Sequence, residues 1–359
     1  MRLKHSVVIS FLVMFSLLLL NILVSKTTTQ PRYIQYSDQN IANIATPEKY
    51  HRQLSSTLYS IPEWYLVFSP EEYANLLKYK VSSQFPFYDA TMQYWETYST
   101  VIDLTEAKHF YNPDEKIMLY VIGSSTTLEY VLRGIYEKSV GAISYDISGR
   151  VEEDDYSQKV AQNYVEFIKK EPWFEFDYVG ALKGLWLDNS FFGKGFVRKV
   201  ERKYILSTEY IAKAIYAKII GYASHAKYGV ESTDTATVFK FNQMSNQQLP
   251  YKQIKSYSAD TSLVLLPRLD AYKYAVENLA NKGEFISIAG NSSYIAFSII
   301  ANSNWQNDNL NMQEIFRQQV LTEKDKDRIY LVVPVNDLSQ VIAKLMTTND
   351  LQIEHIYDY

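Results

Sequence analysis

Val264-Leu265-Leu266-Pro267, followed three residues after the proline by Asp270, and Leu331-Val332-Val333-Pro334, followed at the same distance by Asp337, decide the fold of the carboxy-terminal part. Each apolar run ends at a proline and a capping residue. A helical pattern then begins, with Ala271, Tyr274, Ala275 and Leu279 after the first cap and Leu338, Val341, Ile342, Leu345 and Met346 after the second. A strand pattern closes each unit, at 285–289 and 351–357. Two βαβ units in tandem predict a ferredoxin-like domain over 261–359, with an added strand at 294–301 after the Gly290-Asn291 turn and a polar stretch, 302–327, between the halves. The competing explanation is coincidence in a four-residue apolar run before a common cap.

Working outward, 231–260 is poorer in apolar residues and contains Asn242-Gln243-Met244-Ser245-Asn246-Gln247-Gln248, which marks it as a linker. Residues 46–230 read as mainly α-helical. Ser69-Pro70-Glu71-Glu72 predicts a helix start, and apolar spacing predicts helices over 157–169 and 207–226. The uncharged run at 117–126 continues through Glu129 and Arg133 to Tyr136. Those two charges at i,i+4 point to a helix buried in the domain and holding an internal ion pair; a second membrane span is the alternative. Further out, 26–45 is a polar tether. Ser6–Ser25 has no charge and follows Arg2 and Lys4, the pattern of an uncleaved signal anchor with 1–5 in the cytoplasm. The expected fold class is α+β: an N-terminal transmembrane helix, a mainly α-helical domain and a C-terminal ferredoxin-like domain of duplicated βαβ units.

Composition narrows the function classes. The chain has 359 residues, 47% hydrophobic and 21% charged, which suits a globular protein and excludes a polytopic transporter. A formal net charge of −4 gives no overall electrostatic footprint for nucleic acid. No cysteine is present, so disulfides, thiolate metal sites and a cysteine nucleophile are excluded. The 31 tyrosines all follow the apolar amino-terminal run.

Chemistry-bearing patterns are sparse. His5, His51 and His225 lack an evident partner, and the Glu106, His109, Asp114 group matches no metal-ligand spacing, so no metal and no cofactor are assigned. His355 falls with Leu351, Ile353 and Tyr357 on one strand face, pointing away from Glu354. Gly123-Ser124-Ser125 lacks the second glycine of a nucleophile elbow. Between Gly180 and Tyr228, nine basic residues stand against three acidic ones. Within this stretch Lys194, Arg198, Lys199, Arg202 and Lys203, interleaved with Trp186 and three phenylalanines, are the candidate lipid- or ligand-binding residues. The alternative is internal pairing with the preceding acidic segment of Glu152, Glu153, Asp154, Asp155, Glu166, Glu171, Glu175 and Asp177.

Tyr59-Ser60-Ile61-Pro62-Glu63-Trp64-Tyr65, the 204–218 helix and the closing His355-Ile356-Tyr357-Asp358-Tyr359 give the chain a resemblance to a family of bacterial membrane-anchored proteins with no assigned activity. The resemblance covers most of the part after residue 26 and implies no catalytic residues. The leading expectation is a single-pass protein of the bacterial inner membrane, with its bulk on the periplasmic side, that binds a protein partner or small ligand without catalysis and binds no nucleic acid. An enzyme acting on envelope lipid or polymer through Glu63, Glu96 or Glu129, and an anionic-lipid surface binder, are the alternatives.

Overall fold

The computed structural model describes residues 46–52, 54–107, 112–228, 234–242, 251–307 and 310–358. The expected cytoplasmic end, anchor and tether (1–45) lie outside the described residues, as do His5 and His109. The described chain divides into two compact units, one holding 63–99 and 117–228, the other 54–62, 100–116 and 234–358 together with 46–52.

The first unit is helical. Its elements are α1 (Leu54–Leu77), α2 (Phe87–Ala107), α3 (Pro113–Tyr136), a π turn (Glu137–Gly141), α4 (Ala142–Ser148), α5 (Glu152–Ile168), α6 (Tyr178–Leu187) and α7 (Phe196–Tyr228), with α1, α2 and α3 each extending into the other unit. The helix start expected at Ser69-Pro70 is corrected, because α1 runs unbroken through Pro62 and Pro70. The Ser69 hydroxyl lies 3.0 Å from the Tyr130 hydroxyl instead of capping a helix. Buried Tyr65, Phe68 and Tyr73 on either side of Ser69 hold the backbone helical, so packing overrides the local cap.

Buried tyrosine accounts for part of the aromatic excess: in this unit the rings fill volume while several of the hydroxyls meet polar partners. Tyr94 donates to the Leu119 carbonyl at 2.6 Å, Tyr65 to the Ala90 carbonyl at 3.0 Å, and the Trp95 indole to Thr127 at 2.8 Å. Tyr94 lies directly over Gly123, where a Cβ would come within 1.9 Å of the ring. The 117–136 segment is indeed helical, burying Leu119, Gly123, Thr127 and Tyr130. Among the described residues no helix is long and apolar enough to cross a membrane.

The second unit carries two sheets. Its elements are β1 (Asp234–Phe241), β2 (Lys252–Ser256), β3 (Thr261–Pro267), α8 (Asp270–Leu279), β4 (Gly283–Ile288), β5 (Tyr294–Asn302), β6 (Gln313–Gln319), β7 (Lys326–Pro334), α9 (Leu338–Leu345) and β8 (Leu351–Ile356). The strand orders are β2-β3-β1-β4 and β6-β7-β5-β8, with every neighbouring pair antiparallel. The chain is therefore α+β.

Strand by strand, the second sheet repeats the first. Asp234 faces Pro267 as Tyr294 faces Pro334. The register of β1 on β4 shifts between Val238 and Phe239, that of β5 on β8 between Ser298 and Ile299. The edge strands shift between Gln253 and Lys255 and between Glu314 and Phe316. The repeat is longer than the sequence suggests: βββαβ, with β3 and β4 (or β7 and β8) flanking an antiparallel strand in a split βαβ. Each repeat thus has its own four-stranded sheet, where the expected arrangement joins both in one. The extra strands come from residues taken for linker and polar stretch. Threonines occupy two inner positions of β1 (Thr235 and Thr237), and β2 is exposed at every residue, so neither shows apolar alternation. Residues of both halves, among them Phe239, Val276, Phe285, Phe297, Leu331 and Ile342, share one apolar core.

Candidate functional site

The densest gathering of ionisable groups lies where α7 meets α3, the π turn, α4 and α5. The spacing of Arg198, Lys199, Arg202 and Lys203 (i, i+1, i+4, i+5) puts all four on one face of α7. That face is turned inward: the residues are 0%, 5%, 1% and 1% exposed. Arg198 donates to Asp154 at 2.7 Å, to the Gly141 carbonyl at 2.7 Å and to Ser144 at 2.8 Å. Arg202 binds both oxygens of Glu137, at 2.9 and 3.1 Å, and also pairs with Glu201. Lys199 bonds to Glu152, while Lys203 donates to the carbonyls of Leu185 and Asn189, each at 3.0 Å. Glu153, fully buried, sits 3.6 Å from Lys199 and 3.4 Å from Lys203 without accepting a hydrogen bond.

A lipid- or ligand-binding surface at these four residues is therefore corrected to an internal network, the pairing with the acidic run that sequence offered as the alternative. Desolvating four cations requires partners within reach: the acidic N-terminal turn of α5 supplies them for Arg198, Lys199 and Lys203, and Glu137 and Glu201 for Arg202. Lys194 alone of the basic set is exposed, beside a groove of about 560 Å³ also lined by Ser148, Arg150, Glu152 and Ser190. Trp186 is half exposed, its indole donating to Ser207 at 2.9 Å and its ring stacked against Phe191. Glu137 also belongs to the network, and no local pattern in the sequence marks it as a partner of Arg202. The usable signal was the acidic run at one helix start facing a basic stripe of helical spacing.

The expected intrahelical pair of Glu129 and Arg133 is also corrected. Arg133 pairs with Glu209 at 3.1 Å and Glu129 with Lys213 at 2.8 Å, both across to α7, and Lys213 also reaches Glu209 at 2.9 Å. Facing charges on neighbouring helices satisfy one another better than two long side chains along one helix. Burial pushes the Glu209 carboxyl up, but the Arg133 guanidinium and Lys213 ammonium outweigh it and hold its pKa at about 2. For Lys213, burial pulls the ammonium's pKa down, yet Glu129 and Glu209 raise it well above the ordinary lysine value. The rungs Glu129–Lys213, Arg133–Glu209 and Glu137–Arg202 show α3 and α7 antiparallel along a charged seam.

The other sequence candidates are dispersed. Glu63 is exposed and Glu96 half-buried on separate helices. Ser124 and Ser125 donate to carbonyls of their own helix, Tyr120 and Ile122. Trp95 packs against Tyr94, Trp64 against Phe68 and Trp173 against Tyr216, each with its own aromatic neighbour. In the second unit the bulge brings Glu354 and His355 to one face, correcting the strict alternation expected: Ser298, paired opposite His355, donates to Glu354 at 3.0 Å, and the His355 ring packs on Tyr357. Arg328 grips Glu354 through Nε and Nη2 at 2.8–2.9 Å. The His51 ring is 2.8 Å from the Thr46 carbonyl. Among the described residues no group of three His, Asp or Glu is placed to hold a metal ion.

On the outer side of the seam the same helices are apolar. Ile135 on α3 and Ile215 on α7 are 65% and 58% exposed. No protein-family model, curated protein or solved structure matches the chain.

Proposed function

We propose that the chain is a membrane-anchored, non-catalytic envelope protein: Ser6–Ser25 spans the inner membrane, the helical unit lies on the exported side, and the duplicated α+β unit binds a protein partner or small ligand. The observation that carries this reading is the inversion in the helical unit, where charges are spent on one another inside while long helices present isoleucine and valine outward. In water this arrangement is costly on both counts, and beside lipid only the interior pairing remains to be satisfied. The uncharged 20-residue run at 6–25, preceded by Arg2 and Lys4, supports the anchor and its orientation. Within the second unit, the split βαβ of each half keeps the ferredoxin-like likeness at the level of the single repeat.

Fractionation of cells expressing the full chain tests the proposal. The protein should stay in the membrane pellet after alkaline carbonate extraction, and a reporter fused after Tyr359 should be active only on the periplasmic side. Recovery in the soluble fraction, or a reporter active only in the cytoplasm, overturns it.

A further inference from the structure

We infer that α3–α4 and α7 together form one plateau that lies flat on an anionic bilayer surface. This inference rests on the membrane attachment proposed above and names the face that meets the lipid. Along α3 and α4, Ile117, Val121, Leu132, Ile135, Ile143 and Ile147 are 54–66% exposed. Over so long a span a regular helix would drift out of phase, and the π turn at Glu137–Gly141 corrects it. By adding one residue it rotates α4 by about 100° relative to α3 and returns Val140, Ile143 and Ile147 to the stripe. Along α7, Val197, Val200, Tyr204, Ile211, Ile215 and Ile219 make a second stripe, 38–66% exposed.

The two stripes face the same way. On α3 the buried residues Leu119, Gly123 and Tyr130 lie about a quarter-turn beyond the seam residues Glu129 and Arg133. On α7, Leu206, Tyr210 and Ala217 stand in the same relation to Glu209 and Lys213. Because the helices are antiparallel, equal rotations place both cores on one side of the pair and both stripes on the other. At 1.5 Å per residue the stripes are roughly 45 Å and 33 Å long. Together they expose on the order of 1,000 Å² of apolar side chain, beyond what a soluble monomer ordinarily shows.

Lipid is the occupant that the border chemistry selects. Among described residues 113–148 and 194–222, the exposed charges are Lys138, Lys194 and Lys218 against Asp114 and Asp146, a slight cationic excess that suits anionic headgroups. Aromatics edge the plateau at the α6 side, with Trp186 stacked on Phe191 and Phe192 on Phe196, as at a membrane–water interface. The hydroxyls that fall among the stripes are few, and Ser139 and Thr208 donate theirs to carbonyls of their own helices, Ile135 and Tyr204, unlike a protein interface, which carries a polar rim with many direct bonds. Charge on the inner side of both helices makes them interfacial and not spanning.

Because the chain has no cysteine, single labels are straightforward. Ile135→Cys, Ile143→Cys, Ile211→Cys and Ile219→Cys, with Lys159→Cys as an exposed control on α5, would each be made in the full chain. After labelling with an environment-sensitive fluorophore they would be reconstituted in phosphatidylcholine–phosphatidylglycerol vesicles carrying spin-labelled lipid. All four plateau positions should be quenched several-fold more than the control, with blue-shifted emission, and replacing the anionic lipid by phosphatidylcholine should reduce the quenching. If the chain floats with the vesicles but the plateau labels report water, the plateau inference falls while the anchor stands. If the chain does not float at all, membrane attachment itself fails. Plateau labels shielded equally without lipid, with cysteine cross-links between copies, would assign the face to a second copy and overturn the inference.

Discussion

Gly123 shows how one position can hold two helices in contact. The Tyr94 ring occupies the space of its missing side chain, and the Tyr94 hydroxyl bonds to Leu119 one turn away. Gly123→Ala forces that ring out of its site and is expected to cost about 1–3 kcal/mol, readable as a lowered denaturant midpoint. Arg202 is a second such position. Arg202→Met leaves the buried carboxylates of Glu137 and Glu201 short of a cation, with an expected loss of about 3–5 kcal/mol. Adding Glu137→Gln should recover part of it, and a double-mutant cycle by urea denaturation measures the coupling. Glu209 sets an acid limit. Its pKa of about 2 in the folded chain lies below its ordinary value of 4.5, so its contribution is full above about pH 4.5 and is lost as pH falls towards 2. Helical circular dichroism during acid titration should show a transition in that window, shallower in Glu209→Gln.

At the scale of elements, the repeated sheet supplies its own control. The outward face of the first sheet carries Val238, Leu263 and Ile286 in an apolar cluster. The matching positions of the second carry Ser298, Tyr330 and Glu354, and Arg328 stands where the first has Thr261. The fold therefore does not require the polar set. Glu354→Ile alone removes the carboxylate that Arg328 grips and should destabilise by about 3–5 kcal/mol, whereas the triple change Ser298→Val, Arg328→Thr, Glu354→Ile should recover most of that loss in chemical denaturation. Legibility at this scale followed apolar contrast. The two runs ending at Pro267 and Pro334 announced the repeat because their strands are buried on both faces. Strand β2, exposed at every residue, and β6, with its run Arg317-Gln318-Gln319, gave no such contrast. The cap at Ser69 misled because buried neighbours, invisible to local pattern, decided its conformation.

At the scale of the molecule, sequence correctly weighed two outcomes for the basic stretch of α7 but could not choose between them. Charge sign and spacing are properties of one helix; whether its face is turned in or out depends on Glu137, Glu152, Glu153 and Asp154 arriving from elsewhere in the chain. The apolar stripe at 117–147 was equally hard to see, because its phase is continuous only once the extra residue of the π turn is counted.

The shared core of the duplicated unit has a consequence for assembly. A polypeptide holding one repeat alone would leave bare the residues that now complete the other's core, and could cover them only by capturing a second polypeptide, at a rate set by how much protein is present. Joined through the turn at Gly290, the repeats meet at an effective concentration on the order of millimolar. Completing the core is then a unimolecular step, and the fraction of this unit that is folded no longer depends on expression level.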